Sequence, residues 1–293
     1  MTPDGLPPLR DVIRGLGLAA RKSLGQNFLL DLNLTRRIAR AAGPLAGQTV
    51  IEIGPGPGGL TRALLMEGAD KVIVIERDER CRPALDAIGE HFTGRVDIMT
   101  DDALTVDYQA IANERTQIVA NLPYNIGTPL LVLWLKAEPW PPWYKKLTLM
   151  FQKEVAERIV AKSGTKSYGR LSVLANWRTE TDIRLKLPAR AFTPPPKVDS
   201  ALVEFVPRHA PLSGFTTATL ERMTSAAFGQ RRKMLRQSLK QITKDPAALL
   251  EAAGLEPSHR AEQVDIDGFC NLARLLEQHE RENLPHSASG FAE

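Results

Sequence analysis

Short apolar runs alternate with helical patterns over the first two thirds of the chain. Runs rich in β-branched residues predict strands at residues 49–53, 72–75, 96–99, 118–120 and 146–151. Apolar residues recur at helical spacing in the segments 60–66, 81–88 and 129–136. A further helix follows Asp31, whose side chain can cap its first turn. This alternation of strand and helix indicates an α/β domain built on a parallel sheet.

The pattern changes near residue 207. Two further strands, 183–187 and 201–206, flank a run of three prolines and are expected to end the sheet as an antiparallel pair. Beyond a linker only helical patterns occur, which predicts a second, small all-α domain. We therefore assign residues 1–207 to a catalytic domain and 208–280 to a helical domain. Residues 281–293 lack periodicity and are expected to be a disordered tail.

The composition is that of an ordinary globular protein. Of 293 residues 43% are hydrophobic, enough to fill a large core. The longest apolar run, residues 130–135, is too short to cross a bilayer, so we expect a cytosolic protein without a membrane partner. Cys81 and Cys270 lack metal-ligand spacing and are expected to be free thiols. No second apolar surface stands out, which favours a monomer.

The net charge is only +4, but the positive charge is concentrated in one place. Against the single acid Glu221, residues 219–240 carry six basic side chains, namely Arg222, Arg231, Arg232, Lys233, Arg236 and Lys240. This segment alone contributes +5, which favours an anionic partner such as RNA. Lys166 and Arg170 are candidates to extend the same surface.

If residues 230–242 form one helix, three of these cations share a face. Arg232, Arg236 and Lys240 follow i, i+4 spacing, while Leu235 and Leu239 face the core. Such a stripe suits an RNA backbone. A merely solvated charged face would give the same pattern, but the clustering in a domain without catalytic motifs favours contact with phosphates.

A glycine-rich loop follows the first strand of the predicted sheet. Gly54, Gly56 and Gly59 satisfy the GxGxxG pattern, and the next helix begins there. Glu76, at the end of the following strand, can accept hydrogen bonds from ribose hydroxyls. The same loop and acid occur in NAD-dependent dehydrogenases, so this motif alone leaves S-adenosylmethionine (SAM) and NAD both open.

Polar residues at other strand ends favour SAM. Glu52 precedes the glycines, Asp101 and Asp102 follow the third strand, and Asn121 follows the fourth. The carboxyl ends of parallel strands converge on one crevice, where an acid can bind the SAM adenine amine. A dehydrogenase would need a hydride-handling residue there, and none of the five histidines follows a strand end.

The tetrapeptide Asn121-Leu122-Pro123-Tyr124 suits methylation of an adenine amine. That amine is a poor nucleophile because its lone pair is delocalised into the ring. The Asn121 side-chain oxygen and the Leu122 carbonyl can accept its two hydrogens and free the lone pair, while Pro123 fixes the backbone. Tyr124 can stack on an unpaired or flipped base. A strand followed by an ordinary proline turn would show the same four residues.

These motifs resemble the ribosomal RNA adenine dimethyltransferases over about residues 21–276. The resemblance implies a Rossmann-like SAM-dependent methyltransferase domain that dimethylates two adjacent adenines near the 3′ end of small-subunit (16S) rRNA, with a role in subunit biogenesis. The segment 24–29 resembles the family's N-terminal signature motif. Together with the glycine loop, the resemblance points to seven SAM contacts, namely Asn27, Leu29, Gly54, Gly56, Glu76, Asp102 and Asn121.

Further segments resemble the same family. The segment 192–201 resembles the family's second signature, which implies that Phe192 stacks on the target base opposite Tyr124. From the residues alone, Phe192 before a rigid proline run could equally be a core residue that anchors a loop. Residues 152–155 and 168–172 also match, without a defined role. A sister branch that methylates large-subunit rRNA and confers macrolide resistance usually has Ile where this chain has Leu122, which favours the small-subunit enzymes. A DNA adenine methyltransferase would share the catalytic loop, and a ribosome-assembly factor with secondary catalysis is also compatible with the sequence.

Overall fold

The structure, a computed structural model, describes residues 2–282. It divides into two compact units, unit 1 being Met1–Val160 with Arg178–His209 and unit 2 being Ala161–Trp177 with Ala210–Glu293. The C-terminal segment of unit 2 therefore begins at Ala210, close to the boundary at residue 208 that the sequence suggested. The tail expected at residues 281–293 lies outside the described residues except for Arg281 and Glu282, which are helical.

All nine strands of the described residues belong to unit 1. They are β1 (Phe28–Leu29), β2 (Thr49–Ile53), β3 (Lys71–Ile75), β4 (Val96–Met99), β5 (Thr116–Ala120), β6 (Leu147–Gln152), β7 (Thr179–Leu187), β8 (Phe192–Thr193) and β9 (Ser200–Pro207). Seven form one sheet in the order β4-β3-β2-β5-β6-β9-β7. β2 to β6 pair in parallel, and β9 runs antiparallel to both β6 and β7. The predicted parallel sheet with a final antiparallel pair is thus confirmed.

Helices cover this sheet. Unit 1 contains α1 (Leu9–Gly15), α2 (Leu32–Ala41), α3 (Gly59–Met66), α4 (Arg82–His91), α5 (Tyr108–Ile111), α6 (Gly127–Leu135) and α7 (Lys153–Ile159). β2 and β5 are buried along their whole length, which explains why they read as continuous apolar runs rather than alternating ones. Asp31 caps α2 as predicted, because its carboxylate accepts the Asn33 N–H at 2.9 Å.

Within its described residues, unit 2 contains helices and loops but no strand. It contains α8 (Arg170–Arg178), which ends at the unit boundary, and α9 (Thr217–Gly229), α10 (Leu235–Ser238), α11 (Pro246–Ala252) and α12 (Ile266–Glu282). The sequence analysis placed residues 161–177 in the first domain, whereas the structure places them in unit 2. There the Tyr168 ring contacts Phe228, and Gly164 N donates to Glu262 O at 2.6 Å.

The single helix expected over residues 230–242 is wrong. α9 ends at Gly229, residues 230–234 are not helical, and only the four residues of α10 and a short 3₁₀ turn follow. A tertiary contact interrupts the helix, because Leu235 N donates to His259 O at 2.7 Å instead of to a carbonyl one turn earlier. Leu235 and Leu239 are nevertheless buried, as predicted.

No helix within residues 2–282 is long and apolar enough to cross a membrane. Cys81 and Cys270 are both buried free thiols, as expected from the sequence. Burial is the main cause that raises the pKa of each thiol to about 12.

Candidate active site

A cleft opens in unit 1 at the carboxyl ends of β2 and β5. The chain passes from β2 outward to β3 and β4 and returns on the other side of β2 as β5, so this point is the topological switch of the sheet. Ligands of open α/β sheets bind at such points. The cleft encloses about 1080 Å³, some of it open to solvent, and is lined by three segments, residues 23–29, 52–60 and 121–126, together with residues after β3 and β4.

The glycine loop packs closely against the other two segments. Gly54 and Gly56 have φ of +65° and +56°. A Cβ on Gly54 would lie 3.2 Å from the Pro123 ring, and one on Gly59 would lie 2.4 Å from Leu29 O. The sequence suggested that glycines let the loop approach a ligand. The structure shows that they also let it approach the protein segments that complete the cleft.

Glu76 follows β3 and is nearly buried beside this loop. Its two carboxylate oxygens accept the N–H groups of Gly56 at 2.9 Å and Asp78 at 2.8 Å. Burial raises the pKa of Glu76, and these backbone hydrogen bonds act in the opposite direction. Each oxygen keeps a further lone pair, so the side chain is held in place and can still accept hydrogen bonds from a ligand.

Glu52, the last polar residue of β2, lies beneath the glycine loop and is only 1% exposed. One carboxyl oxygen accepts the Thr61 hydroxyl at 2.6 Å. Burial, with a smaller contribution from the negative charge of Glu76, raises the pKa of Glu52 to about 8. Because this value lies above 7, Glu52 is mostly protonated at neutral pH.

Asp101 and Asp102 follow β4 and both line the cleft. Asp102 Oδ1 accepts the Leu104 N–H at 3.0 Å, and its Oδ2 accepts from Arg77 at 3.1 Å. Asp101 accepts the Asp102 N–H at 2.7 Å. Asp102 is thus oriented by two donors, and its contact with SAM stays a prediction.

The four residues that follow β5 all line the cleft. Asn121 Nδ2 donates to Asn27 O at 3.1 Å, and within residues 2–282 no donor bonds its Oδ1. The donor end of this amide is therefore used by the protein, and its acceptor end is free for a substrate. The Tyr124 hydroxyl lies 2.5 Å from Ser200 Oγ, which fixes the position of the tyrosine ring.

The segment 23–29 is fastened over the cleft by contacts that sequence reasoning did not find. Gln26 Nε2 donates to Asp78 Oδ2 at 2.9 Å, and β1 pairs with β8. Hydrogen bonding from Arg80 is the main cause that lowers the pKa of Asp78 to about 2, so it is an ionised acceptor at neutral pH. Gln26 lies inside the signature motif at residues 24–29, and this position was the only sequence signal that it holds the segment in place.

Phe192 is placed in the core rather than in the cleft. It is 2% exposed and belongs to the apolar cluster that includes Leu29 and Leu187. It pairs with Leu29 in the two-stranded β1-β8 sheet, and the residues that line the cleft do not include it. Phe192 therefore anchors a loop in this arrangement, and stacking on a base would require it to move.

The predicted RNA-binding cations all lie in unit 2 and differ in their surroundings. Arg231 is held by Glu262 at 2.8 Å and donates to Lys166 O at 2.6 Å, so it links segment 161–177 to the rest of the unit. The other four are Arg232, Lys233, Arg236 and Lys240, and all of them are exposed. They do not form the helical stripe that the sequence suggested, because the helix is interrupted.

The sequence model of the ribosomal RNA adenine dimethylase family matches residues 17–278. The chain belongs to this family. Among curated members of the dimethylase family, "Ribosomal RNA small subunit methyltransferase A" of Xanthobacter autotrophicus is 61% identical over 276 residues, covering 94% of this chain and 96% of the relative. The protein of the same name from Rhodopseudomonas palustris is 62% identical over 274 residues, covering 93% and 95%.

Solved structures give the same picture of the dimethylase fold. A dimethyladenosine transferase from Plasmodium falciparum is 25% identical with a TM-score of 0.72, covering 86% of this chain and 97% of that one. The 23S rRNA methyltransferase ErmE is 28% identical with a TM-score of 0.64, covering 86% and 100%. The chain therefore has the Rossmann-like methyltransferase fold predicted from its sequence, with helices appended after the sheet.

Proposed function

We propose that the protein transfers methyl groups from SAM to the exocyclic amines of two adjacent adenines near the 3′ end of small-subunit rRNA. The observation that carries this proposal is the free Asn121 Oδ1 beside the Leu122 carbonyl, at the sheet edge where the glycine loop and Glu76 also lie. Relatives that share about three fifths of its residues are named small-subunit methyltransferases, which favours that substrate over large-subunit rRNA.

The donor groups in the cleft fit SAM. Glu76 can accept hydrogen bonds from two ribose hydroxyls, because both oxygens keep a lone pair beside Gly56 and Asp78. Asp102 can accept the adenine amine of SAM, and the segment from Asn27 to Leu29 closes the cleft. When bound, SAM supplies a methyl carbon attached to a positively charged sulfur.

The catalytic loop acts on the target amine. Asn121 Oδ1 and the Leu122 carbonyl accept its two hydrogens, which draws the nitrogen toward tetrahedral geometry and exposes its lone pair. Pro123 lacks an N–H, and its own carbonyl accepts from Ile126 and Gly127 at 3.1 and 3.0 Å, so the loop is held rigid. The bond from nitrogen to the methyl carbon would form as the bond from that carbon to sulfur breaks, leaving a neutral thioether. The nitrogen would then be an acidic ammonium that loses a proton to water, so no strong general base is required.

Tyr124 supports the base. Its hydroxyl is fixed by Ser200, so the ring is pre-oriented for stacking on an adenine that has left its helix. In unit 2, the exposed cations Arg232, Lys233, Arg236 and Lys240 are suited to contact rRNA phosphates within the subunit. Arg231 contributes by holding Lys166 and the segment around it in the same unit.

The proposal is tested by transfer of labelled methyl groups from SAM to unmodified small ribosomal subunits, naked rRNA and duplex DNA, with wild type and Asn121→Ala. We expect dimethyladenine in the small subunit with wild type only. Label in DNA or in large-subunit RNA alone would contradict the substrate. Binding of SAM and the subunit without any transfer would instead indicate an assembly factor.

A further inference from the structure

An exposed loop lies directly beside the catalytic tyrosine in unit 1. Residues 194–199 connect β8 to β9, and Ser200, the first residue of β9, holds the Tyr124 hydroxyl. Five of its six residues are exposed, all but Pro196, and among them Val198 is 45% exposed. The loop therefore adjoins the residue that fixes Tyr124.

This loop is anchored at both ends. The Asp199 backbone carbonyl accepts Lys153 N at 2.9 Å, and the Asp199 carboxylate accepts Ala189 N at 2.9 Å. At its other end Phe192 is buried in the core and pairs with Leu29. These contacts fix the backbone of the loop, so Val198 stays exposed and the loop keeps its position relative to Tyr124.

Four cations surround this loop. Lys153 follows β6, Lys186 is the penultimate residue of β7, and Arg190 and Lys197 flank β8. All four are exposed. Lys153 pairs with Glu157 at 4.0 Å, and within residues 2–282 no carboxylate pairs with Lys186, Arg190 or Lys197. The one acid of the loop, Asp199, already accepts a backbone N–H. We call these four cations with Val198 the pocket rim.

We propose that the pocket rim binds the single-stranded rRNA that flanks the target adenine, with phosphates on Arg190 and Lys197 and a neighbouring nucleotide against Val198. This inference rests on the proposed function and extends it to a second RNA surface, separate from the cations of unit 2. When a base is held at Tyr124, the backbone of its nucleotide passes the pocket rim, because Ser200 both follows the loop and contacts the Tyr124 hydroxyl. Unpaired cations beside rigid apolar groups suit a single strand, whose phosphates and base faces are both accessible.

The test uses the full-length double variant Arg190→Ala/Lys197→Ala with unmodified small subunits as substrate. Both side chains are exposed, so the fold is expected to persist. We expect the KM for the subunit to rise about fivefold per cation removed, and the slope of log KM against log salt to fall by about one per lost phosphate contact. The dissociation constant for SAM, measured by equilibrium dialysis, is expected to stay unchanged.

Lys145→Ala is the matched control. Lys145 is an exposed lysine that precedes β6, at the opposite end of that strand from Lys153, and its loss should leave the KM and salt slope at wild-type values. If the double variant has the same KM and salt slope as this control, the proposed role of the pocket rim is overturned and the proposed function stays intact. Wild type that methylates no subunit would instead overturn the proposed function. Val198→Asp, which adds a charge without removing a cation, should also raise the KM for the subunit.

Discussion

Replacing Glu52 by Gln should stabilise the protein at neutral pH. Glu52 is buried, and the only hydrogen bond its carboxyl makes within the described residues comes from Thr61. Gln has the same shape and can still accept that hydrogen bond through its amide oxygen. The change removes an ionisable group from the core while keeping the packing. Its amide N–H groups add a cost that does not vary with pH, so the pH dependence of the difference from wild type reports the titration of Glu52.

The size of the effect follows from the pKa of Glu52, which burial raises from 4.5 to about 8. The folded protein binds this proton more tightly than the unfolded chain. The contribution of protonated Glu52 to the free energy of unfolding is thus fully present below pH 4.5 and is lost as the pH rises through about 8. At about 1.4 kcal/mol per pH unit, the loss reaches about 3 kcal/mol at pH 7 and about 5 kcal/mol above pH 8. The Glu52→Gln variant should not show this pH-dependent loss of stability.

Urea unfolding followed by tryptophan fluorescence suits this test, because Trp134, Trp140 and Trp143 lie in unit 1. With a slope of about 3 kcal/mol/M, the Gln variant should unfold about 1 M later than wild type at pH 7, and at the same urea concentration at pH 4.5. Glu114→Gln, at an exposed carboxyl, controls for the change of residue type. A difference that is independent of pH, or a less stable variant at pH 8, would refute the reasoning.

Three further predictions concern the site and the core. Asn121→Ala removes one acceptor from the target amine and should lower kcat by about 100-fold in single-turnover assays at saturating SAM, and an unchanged kcat would contradict its role. Phe192→Leu should cost about 1 kcal/mol of stability in urea with little change in kcat, whereas a loss of kcat of about tenfold at unchanged stability would show that Phe192 stacks on the base. Cys81 and Cys270 should not react with a thiol reagent at pH 7.5 until the protein is unfolded, because burial raises both pKa values.

The central strands of the sheet could be predicted because they are buried on both faces, and the partly exposed strand β4 because its residues are mostly β-branched or apolar. β2 and β4 begin and end at the predicted residues, since a run such as 49–53 is uniformly apolar or β-branched apart from Glu52. The site followed from the same rule, because the carboxyl ends of parallel strands meet at one edge. Glu76, Asp102 and Asn121 line one cleft, as that rule predicts, and their roles in binding SAM stay predictions.

Features that depend on distant partners could not be predicted. β1 and β8 are two residues long and exist only because they pair with each other, Leu29 with Phe192, across more than half of the chain. The helix expected after Gln230 is interrupted because Leu235 N finds an acceptor at His259. Periodicity describes neighbours along the chain, and it carries no information about such partners.

In the proposed mechanism, the two acceptors at Asn121 and Leu122 make the site sensitive to the number of hydrogens on the target nitrogen. An unmodified amine has two hydrogens and satisfies both acceptors, a monomethylated amine satisfies one, and a dimethylated amine satisfies none. Each acceptor left unpaired where the bound base excludes water costs about 1–3 kcal/mol. Product therefore loses affinity with each methyl group, so the second methylation is the slower one and the finished base is released.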